Sequence, residues 1–231
     1  MDYQQKEKYT LEDLLDVTRL LRGENGCPWD REQDHHSIRR EFLEEAYEAV
    51  EAIDTEDSEL LKEELGDVLF QVVFHAQIEA EKGVFDFSDV ASDVTKKMIV
   101  RHPFVFGEGT AADAEDALRR WDQVKMTMKS QKTQAEVLRS VTPAMPALMR
   151  AEKILKKAEK AGAKGSEEEN LKAACAALEA FANEVDEDTL GDLLLAVTDL
   201  ARRRGMHAED ALAAATKRYI DDFEREIDNK Q

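Results

Sequence analysis

The sequence predicts an all-α protein made of two related helical-bundle repeats. Gly and Pro are sparse, at 10 and 4 of 231 residues, while Ala, Leu, Glu, Lys and Arg dominate, a balance that favours helices over strands. Apolar residues recur at helical spacing, with few β-branched runs. Short segments also recur. Leu65-Gly66-Asp67-Val68-Leu69-Phe70 is echoed by Leu190-Gly191-Asp192-Leu193-Leu194-Leu195 at an offset of 125, and Thr95-Lys96-Lys97 by Thr216-Lys217-Arg218 at 121. A duplicated unit with a loop four residues shorter in its second copy accounts for both offsets.

Leu11, Leu14, Leu15, Thr18 and Leu21 share one face of a helix over 10–23, which Gly23 stops. The segment Glu24-Asn25-Gly26-Cys27-Pro28-Trp29-Asp30 is a turn-rich loop. A helix over 38–52, a polar turn at 54–58 and a long helix over 59–82 make a hairpin ended by Gly83. Leu61, Leu65, Val68, Leu69, Val72 and Val73 are expected on the buried side of the long helix, and Gly66 where the two helices approach closely. A helix over 88–101 is broken by Arg101-His102-Pro103, and another runs over 113–130. The polar stretch that holds Pro143 and Pro146 reads as a boundary. The expected organisation is therefore a helical domain at 1–130, a linker at 131–145 and a second helical domain at 146–231, with helices near 146–161, 168–184, 187–203 and 208–228.

Charge narrows the function. The formal net charge of -19 repels nucleic acid and anionic membrane surfaces, so no nucleic-acid or membrane partner is expected. No run approaches the length of a membrane span and the N-terminus lacks a signal pattern, which makes a cytoplasmic protein the expectation. The two cysteines, Cys27 and Cys175, form neither a disulfide framework nor a zinc motif. His35, His36, His75, His102 and His207 show no metal-ligand spacing, and no Gly-rich phosphate loop, Ser-His-Asp set or dinucleotide fingerprint is present.

One acidic constellation stands out from this Glu-rich background. Glu45 and Glu48 are three apart on one helix, and Glu64 and Asp67 are three apart on the next, so each pair shares a face. The pairs are also mirrored about the turn. Glu48 and Glu64 lie six residues from its two ends, and Glu45 and Asp67 nine. In an antiparallel hairpin that places the pairs at matching heights, roughly 9 and 14 Å from the turn at about 1.5 Å per residue. Most acidic pairs are solvated helix faces, but two pairs mirrored about a turn converge on one patch. Four carboxylates repel unless compensated, and an all-oxygen donor set suits Mg²⁺, with Mn²⁺ an acceptable substitute.

At these residues the sequence resembles the MazG family of nucleotide pyrophosphohydrolases, whose Glu-Glu-x-x-Glu and Glu-x-x-Asp motifs are matched by Glu44-Glu45-x-x-Glu48 and Glu64-x-x-Asp67. Gly26-Cys27-Pro28-Trp29-Asp30, Arg101-His102-Pro103 and Arg120-Trp121-Asp122-Gln123-Val124-Lys125 extend the resemblance over nearly the whole chain. It implies an all-α fold, Mg²⁺ dependence and hydrolysis of a nucleoside triphosphate to a monophosphate and pyrophosphate. It further implies Glu45, Glu48, Glu64 and Asp67 as metal ligands, Glu44 as the carboxylate that orients or deprotonates water, and a homodimer. Lys97, Arg101 and Lys125 are candidates to hold the phosphates, and Trp29 or Trp121 to stack on the base.

The second half departs from this pattern. Thr189 stands where Glu64 would, Asp222 where Arg101 would, and Asp192 faces an Ala-rich helix without Glu-Glu-x-x-Glu. Two-copy members often carry the working site in the second copy; here only the first copy is complete, so the second is expected to be structural or to form an interface. A non-catalytic helical nucleotide-binding or interaction scaffold is the competing reading, separated from the first by pyrophosphate release.

Overall fold

The computed structural model describes residues 5–128, 133–163 and 165–229, with Met126 described in its backbone only. Among these residues every regular element is helical. The chain divides into two compact units, residues 1–125 and 126–231, and each is described by itself.

In unit 1, α1 (Leu11–Arg22) begins with a capping box in which the Thr10 side chain accepts from the Asp13 N–H and the Asp13 side chain accepts from the Thr10 N–H. A hydrogen bond from Lys6 Nζ, with the Thr10 bonds behind it, holds the Asp13 carboxyl down at about 2. The turn-rich loop ends in α2 (Pro28–Glu32). Gly26 is required in that loop because a Cβ there would stand 2.1 Å from the Leu21 carbonyl oxygen. At the end of α1, Arg22 is 5% exposed through its side chain. It donates to both Glu81 oxygens at 2.7 and 2.8 Å and to the carbonyls of Asp30 and Gln33 at 2.5 and 3.1 Å. One side chain thus ties α1 and the α2 segment to the end of α4.

The centre of unit 1 is the hairpin of α3 (Glu41–Asp54) and α4 (Ser58–Glu81). Only Thr55, Glu56 and Asp57 connect them. Asp57 caps α4 by accepting from the Glu59 and Leu60 N–H groups at 3.0 Å. Glu56 takes a left-handed φ of 55°, and Asp57 N–H reaches back to the Ala52 carbonyl at 3.0 Å, closing α3 with a Schellman-type end. Buried Ala49, Ala52, Val73 and Ala76 keep side chains small within the hairpin, and Ile38, Phe74 and Ile78 make a core cluster with Phe70 against it. Gly66 was expected at the close approach, but a Cβ there would meet nothing within 4 Å; the alanines do that work. Leu65 and Leu69 are exposed rather than buried, although Val73, one turn further along the same face of α4, is buried.

The segment before α3 is pinned by a contact that sequence spacing did not suggest. His35 Nδ1 lies 2.7 Å from His75 Nδ1, and His35 Nε2 lies 2.6 Å from Glu79 Oε1. The two rings are 14° from parallel with centroids 5.0 Å apart, and Phe42 meets His75 edge-on at 5.7 Å. Burial first, then His35, pushes the His75 imidazole below its ordinary value. Beyond α4 come α5 (Phe87–Arg101), α6 (Pro103–Phe106) and α7 (Ala114–Met128).

Unit 2 holds α8 (Gln134–Arg139), α9 (Ala147–Lys160), α10 (Glu167–Asn183), α11 (Glu187–Arg203) and α12 (Ala208–Asp228). The stretch expected as a linker thus contains a helix. Thr133 caps α8 in a capping box with Glu136, and Lys157 of α9 donates to the Val137 carbonyl at 3.0 Å. In the α10–α11 hairpin, Asp199 accepts from Asn170, Arg202 and Arg203, and Glu159 of α9 accepts from both arginines. Polar pairing there does what aromatic packing does in unit 1.

Candidate metal and nucleotide site

The α3–α4 turn fixes where the carboxylates meet. Glu45 and Glu48 project from one face of α3, and Glu64 and Asp67 from one face of α4. Ligand oxygens of Glu45, Glu48 and Glu64 all lie within 4.8 Å of one another. Glu64 is the deepest, at 7% exposure; Glu45 is half-buried and Glu48 exposed. Asp67 is exposed and stands outside that tight group, yet its charge reaches both Glu45 and Glu64.

The electrostatics record the crowding. Burial, then the charges of Asp67, Glu48 and Glu44, push the Glu45 carboxyl above the ordinary carboxylate range. Burial, then Glu48, does the same to Glu64. The Glu48 carboxyl is within hydrogen-bonding reach of both neighbours, a contact that needs a proton or a cation between oxygens. A donor set of clustered carboxylate oxygens that resist ionising together fits a hard divalent cation. Glu44 sits in the first turn of α3, exposed, beside Glu45.

The substrate candidates separate into two places. Arg101 at the end of α5 lies over the Trp121 ring of α7 with its Cζ 5.2 Å from the centroid, and Lys125 Nζ approaches the same ring at 4.6 Å. The structure therefore brings Arg101, Trp121 and Lys125 together. The Arg101 Nε is buried and makes no hydrogen bond among the described residues. Lys97 is half-buried one turn before Arg101. His102, Phe104, Ala117, Leu118 and Trp121 line a shallow open groove beside the stack. Trp29 is outside it, 60% exposed on α2. Two acceptors that sequence reading passed over also emerge on the hairpin: Glu41 Oε2 and Gln71 Oε1 are buried with no hydrogen-bond partner among the described residues.

Comparison with known proteins agrees with this geometry. Residues 33–106, which span α3, α4, α5 and α6, match the MazG nucleotide pyrophosphohydrolase domain. The chain is 40% identical over 226 residues to a nucleoside triphosphate pyrophosphohydrolase of Escherichia coli strain K12, covering 93% of this chain and 86% of the relative. It is 36% identical over 222 residues to a nucleoside triphosphate pyrophosphohydrolase/pyrophosphatase MazG of Thermotoga maritima, covering 93% and 84%. Likeness over most of both chains, together with clustered carboxylates inside the matched domain, establishes that the chain belongs to the MazG family of nucleotide pyrophosphohydrolases.

Proposed function

We propose that unit 1 hydrolyses nucleoside triphosphates to nucleoside monophosphate and pyrophosphate with Mg²⁺, or Mn²⁺ in its place, held by Glu45, Glu48, Glu64 and Asp67. The observation that carries this reading is the convergence of three carboxylates within 4.8 Å at the matched domain's central hairpin. When bound there, a divalent cation supplies charge neutralisation and makes water easier to deprotonate. The chain's own groups do the rest. Glu44 orients the attacking water and takes its proton. The water oxygen bonds to the α-phosphorus, the bond from that phosphorus to the bridging oxygen breaks, and the bridging oxygen leaves with pyrophosphate. Lys97, Arg101 and Lys125 hold phosphate oxygens, and Trp121, already flanked by two cations, offers a face to the base, with Trp29 as a second aromatic.

Unit 2 fits a degenerate copy with a structural or interface role. A homodimer fits the uncovered face of α3, where Leu43, Tyr47, Val50 and Ile53 are exposed at helical spacing. The role is housekeeping of the cytoplasmic nucleotide pool. Pyrophosphate release measured on a panel of triphosphates with Mg²⁺ tests the reading. Release that disappears with Glu64→Gln supports it; no release from any triphosphate sinks it in favour of a non-catalytic scaffold.

A further inference from the structure

The contact that pins the segment before α3 restricts how many protons it can hold. His35 Nδ1 and His75 Nδ1 are 2.7 Å apart, so one carries a hydrogen and the other offers its lone pair. On its other edge His35 Nε2 lies 2.6 Å from Glu79 Oε1. Glu79 also accepts from Lys82 at 2.7 Å. Those two hydrogen bonds hold its carboxyl below the ordinary range, so it is ionised and His35 Nε2 donates to it. When both rings are neutral, His75 donates from its Nδ1 to the free Nδ1 of His35. One added proton is accommodated. His35 then carries hydrogens on both nitrogens and donates to Glu79 and to His75, whose own hydrogen sits on Nε2. A second added proton is not. Both Nδ1 atoms then carry hydrogens that point at one another between two cations, and neither ring has a lone pair left.

Among the described residues, no group facing the pair absorbs that second charge. On α4 the charged neighbours are Glu79 and Lys82, already joined to each other. On the segment they are Asp34 and His36, and Asp34 Oδ1 accepts from the backbone N–H groups of His36 and Ser37 at 2.8 Å. α3 presents Phe42, an uncharged ring edge-on to His75 at 5.7 Å. From α1, Arg22 is committed to Glu81 and to the Gln33 carbonyl. The segment is also built to yield at this point. Arg22 anchors Gln33, and Ile38 is 4% exposed in the core cluster. Between these anchors Asp34, His36 and Ser37 hydrogen-bond with one another, and His35 is what reaches α4.

We propose that His35 and His75 are a proton-counting clamp, which holds the 34–37 turn on α4 with no or one added proton and releases it with two. Burial, then His35, holds the His75 imidazole below its ordinary 6.5, so its share of stability is full above that value and is lost as pH falls below it. Glu79, held below its ordinary 4.5, loses its own share only beneath that value. Release therefore begins below 6.5 while Glu79 is still charged, with Gln33 and Ile38 keeping the segment anchored at both ends. The clamp is independent of hydrolysis at the carboxylates.

Nuclear magnetic resonance of the imidazole rings in the full-length, nucleotide-free protein tests this, over a titration from above 6.5 to just above 4.5. At the upper end a ring-to-ring cross peak between His35 and His75 is expected, with a hydrogen on only one of the two Nδ1 atoms. The cross peak should survive the first protonation and vanish with the second, together with shifts confined to backbone 34–37. His75→Asn sets an amide where Nδ1 was, which turns to donate or accept, so its 34–37 turn should stay docked throughout. His35→Asn does the same from the other side and carries the comparison if His75→Asn does not fold. Glu45 and Glu64 also respond to acid, but they are common to all three proteins and cancel in the comparison. Urea titration gives a second readout. Below 6.5 the wild-type folding equilibrium should fall relative to His75→Asn by up to about tenfold per pH unit. The clamp is overturned if both rings become doubly protonated with the cross peak intact, if 34–37 moves alike in wild type and the Asn variants, or if no cross peak is present at the upper end. None of these results touches the carboxylate site, whose test is pyrophosphate release.

Discussion

Two hairpins in this chain have three-residue connections of different backbone shape and differ in what they hold. The α3–α4 connection is Thr55-Glu56-Asp57, and the α10–α11 connection is Glu184-Val185-Asp186, with the last Asp capping the following helix in each. Val73 and Thr198, 125 residues apart, are both 1% exposed. α5 and α12 begin 121 residues apart, at Phe87 and Ala208, which is the offset of the Thr-Lys repeat. The turns themselves, however, are 129 residues apart, from Glu56 to Val185. The second turn therefore lies four residues later than the 125-residue spacing of the Leu-Gly-Asp segments would put it. Thr189 and Asp192 now stand four and seven residues from its centre, and the residues at those distances across it are Phe181 and Leu178. The Thr189 hydroxyl is spent on the Glu184 carbonyl at 2.6 Å. A hairpin of this shape does not need the carboxylates to fold, since unit 2 folds without them. In unit 1 crowding and burial push Glu45 and Glu64 above the ordinary carboxylate range, so ionising them costs stability.

That contrast can be broken in four ways. The largest effect should come from Glu48→Gln, which touches both Glu45 and Glu64. Pyrophosphate release is expected to fall by on the order of 10²-fold or more, while Asp192→Asn stays within about twofold of wild type. The reverse ranking would move the site to unit 2. Next comes Arg22→Ala, which strands the Asp30 and Gln33 carbonyls and the Glu81 carboxylate. Urea titration should show a loss of about 3 kcal/mol, and a loss below about 1 kcal/mol would mean that Arg22 is not what ties α1 to α4. Trp121→Ala should raise KM by about tenfold with a smaller change in kcat, the worth of one aromatic contact with its cations; an unchanged KM would remove the stack from the substrate site.

The smallest effect is a pH dependence in metal-free protein. Glu45 and Glu64 have folded pKa values raised above their ordinary 4.5. Their ionised forms therefore cost stability at neutral pH, and the cost fades as pH falls toward that value. Glu48→Gln, which relieves the crowding, should melt above wild type at neutral pH in chelator, with the gap closing on acidification. Saturating Mg²⁺ should reverse the order. Carboxyls held below their ordinary range, such as Asp13 and Asp116, lose their contribution only at lower pH and are common to both proteins. A gap that widens on acidification would show that the cluster does not store repulsion.

The sequence made the local parts of this site readable and hid the long-range ones. Glu45, Glu48 and Glu64 were legible because helix periodicity and one short turn fix their relation within twenty residues. Arg101, Trp121 and Lys125 were legible only as residue types; that both cations share one ring depends on how α5 and α7 pack. His35 and His75 are forty residues apart, and nothing in their spacing announces a contact made by docking a loop on a helix. Gly66 misled because a glycine signals close approach only where something is close, and here small Cβ-bearing alanines sufficed.

The three-residue α3–α4 connection also has a meaning for length change. Every rung of the hairpin is measured outward from Glu56, with Asp57 fixing where α4 starts. A single residue inserted into this turn would rotate one helix by about 100° relative to the other. Both helices would survive, and the carboxylates would no longer share a patch. Grafts, tags and natural insertions belong in other loops; this one behaves as a ruler whose first mark cannot be moved.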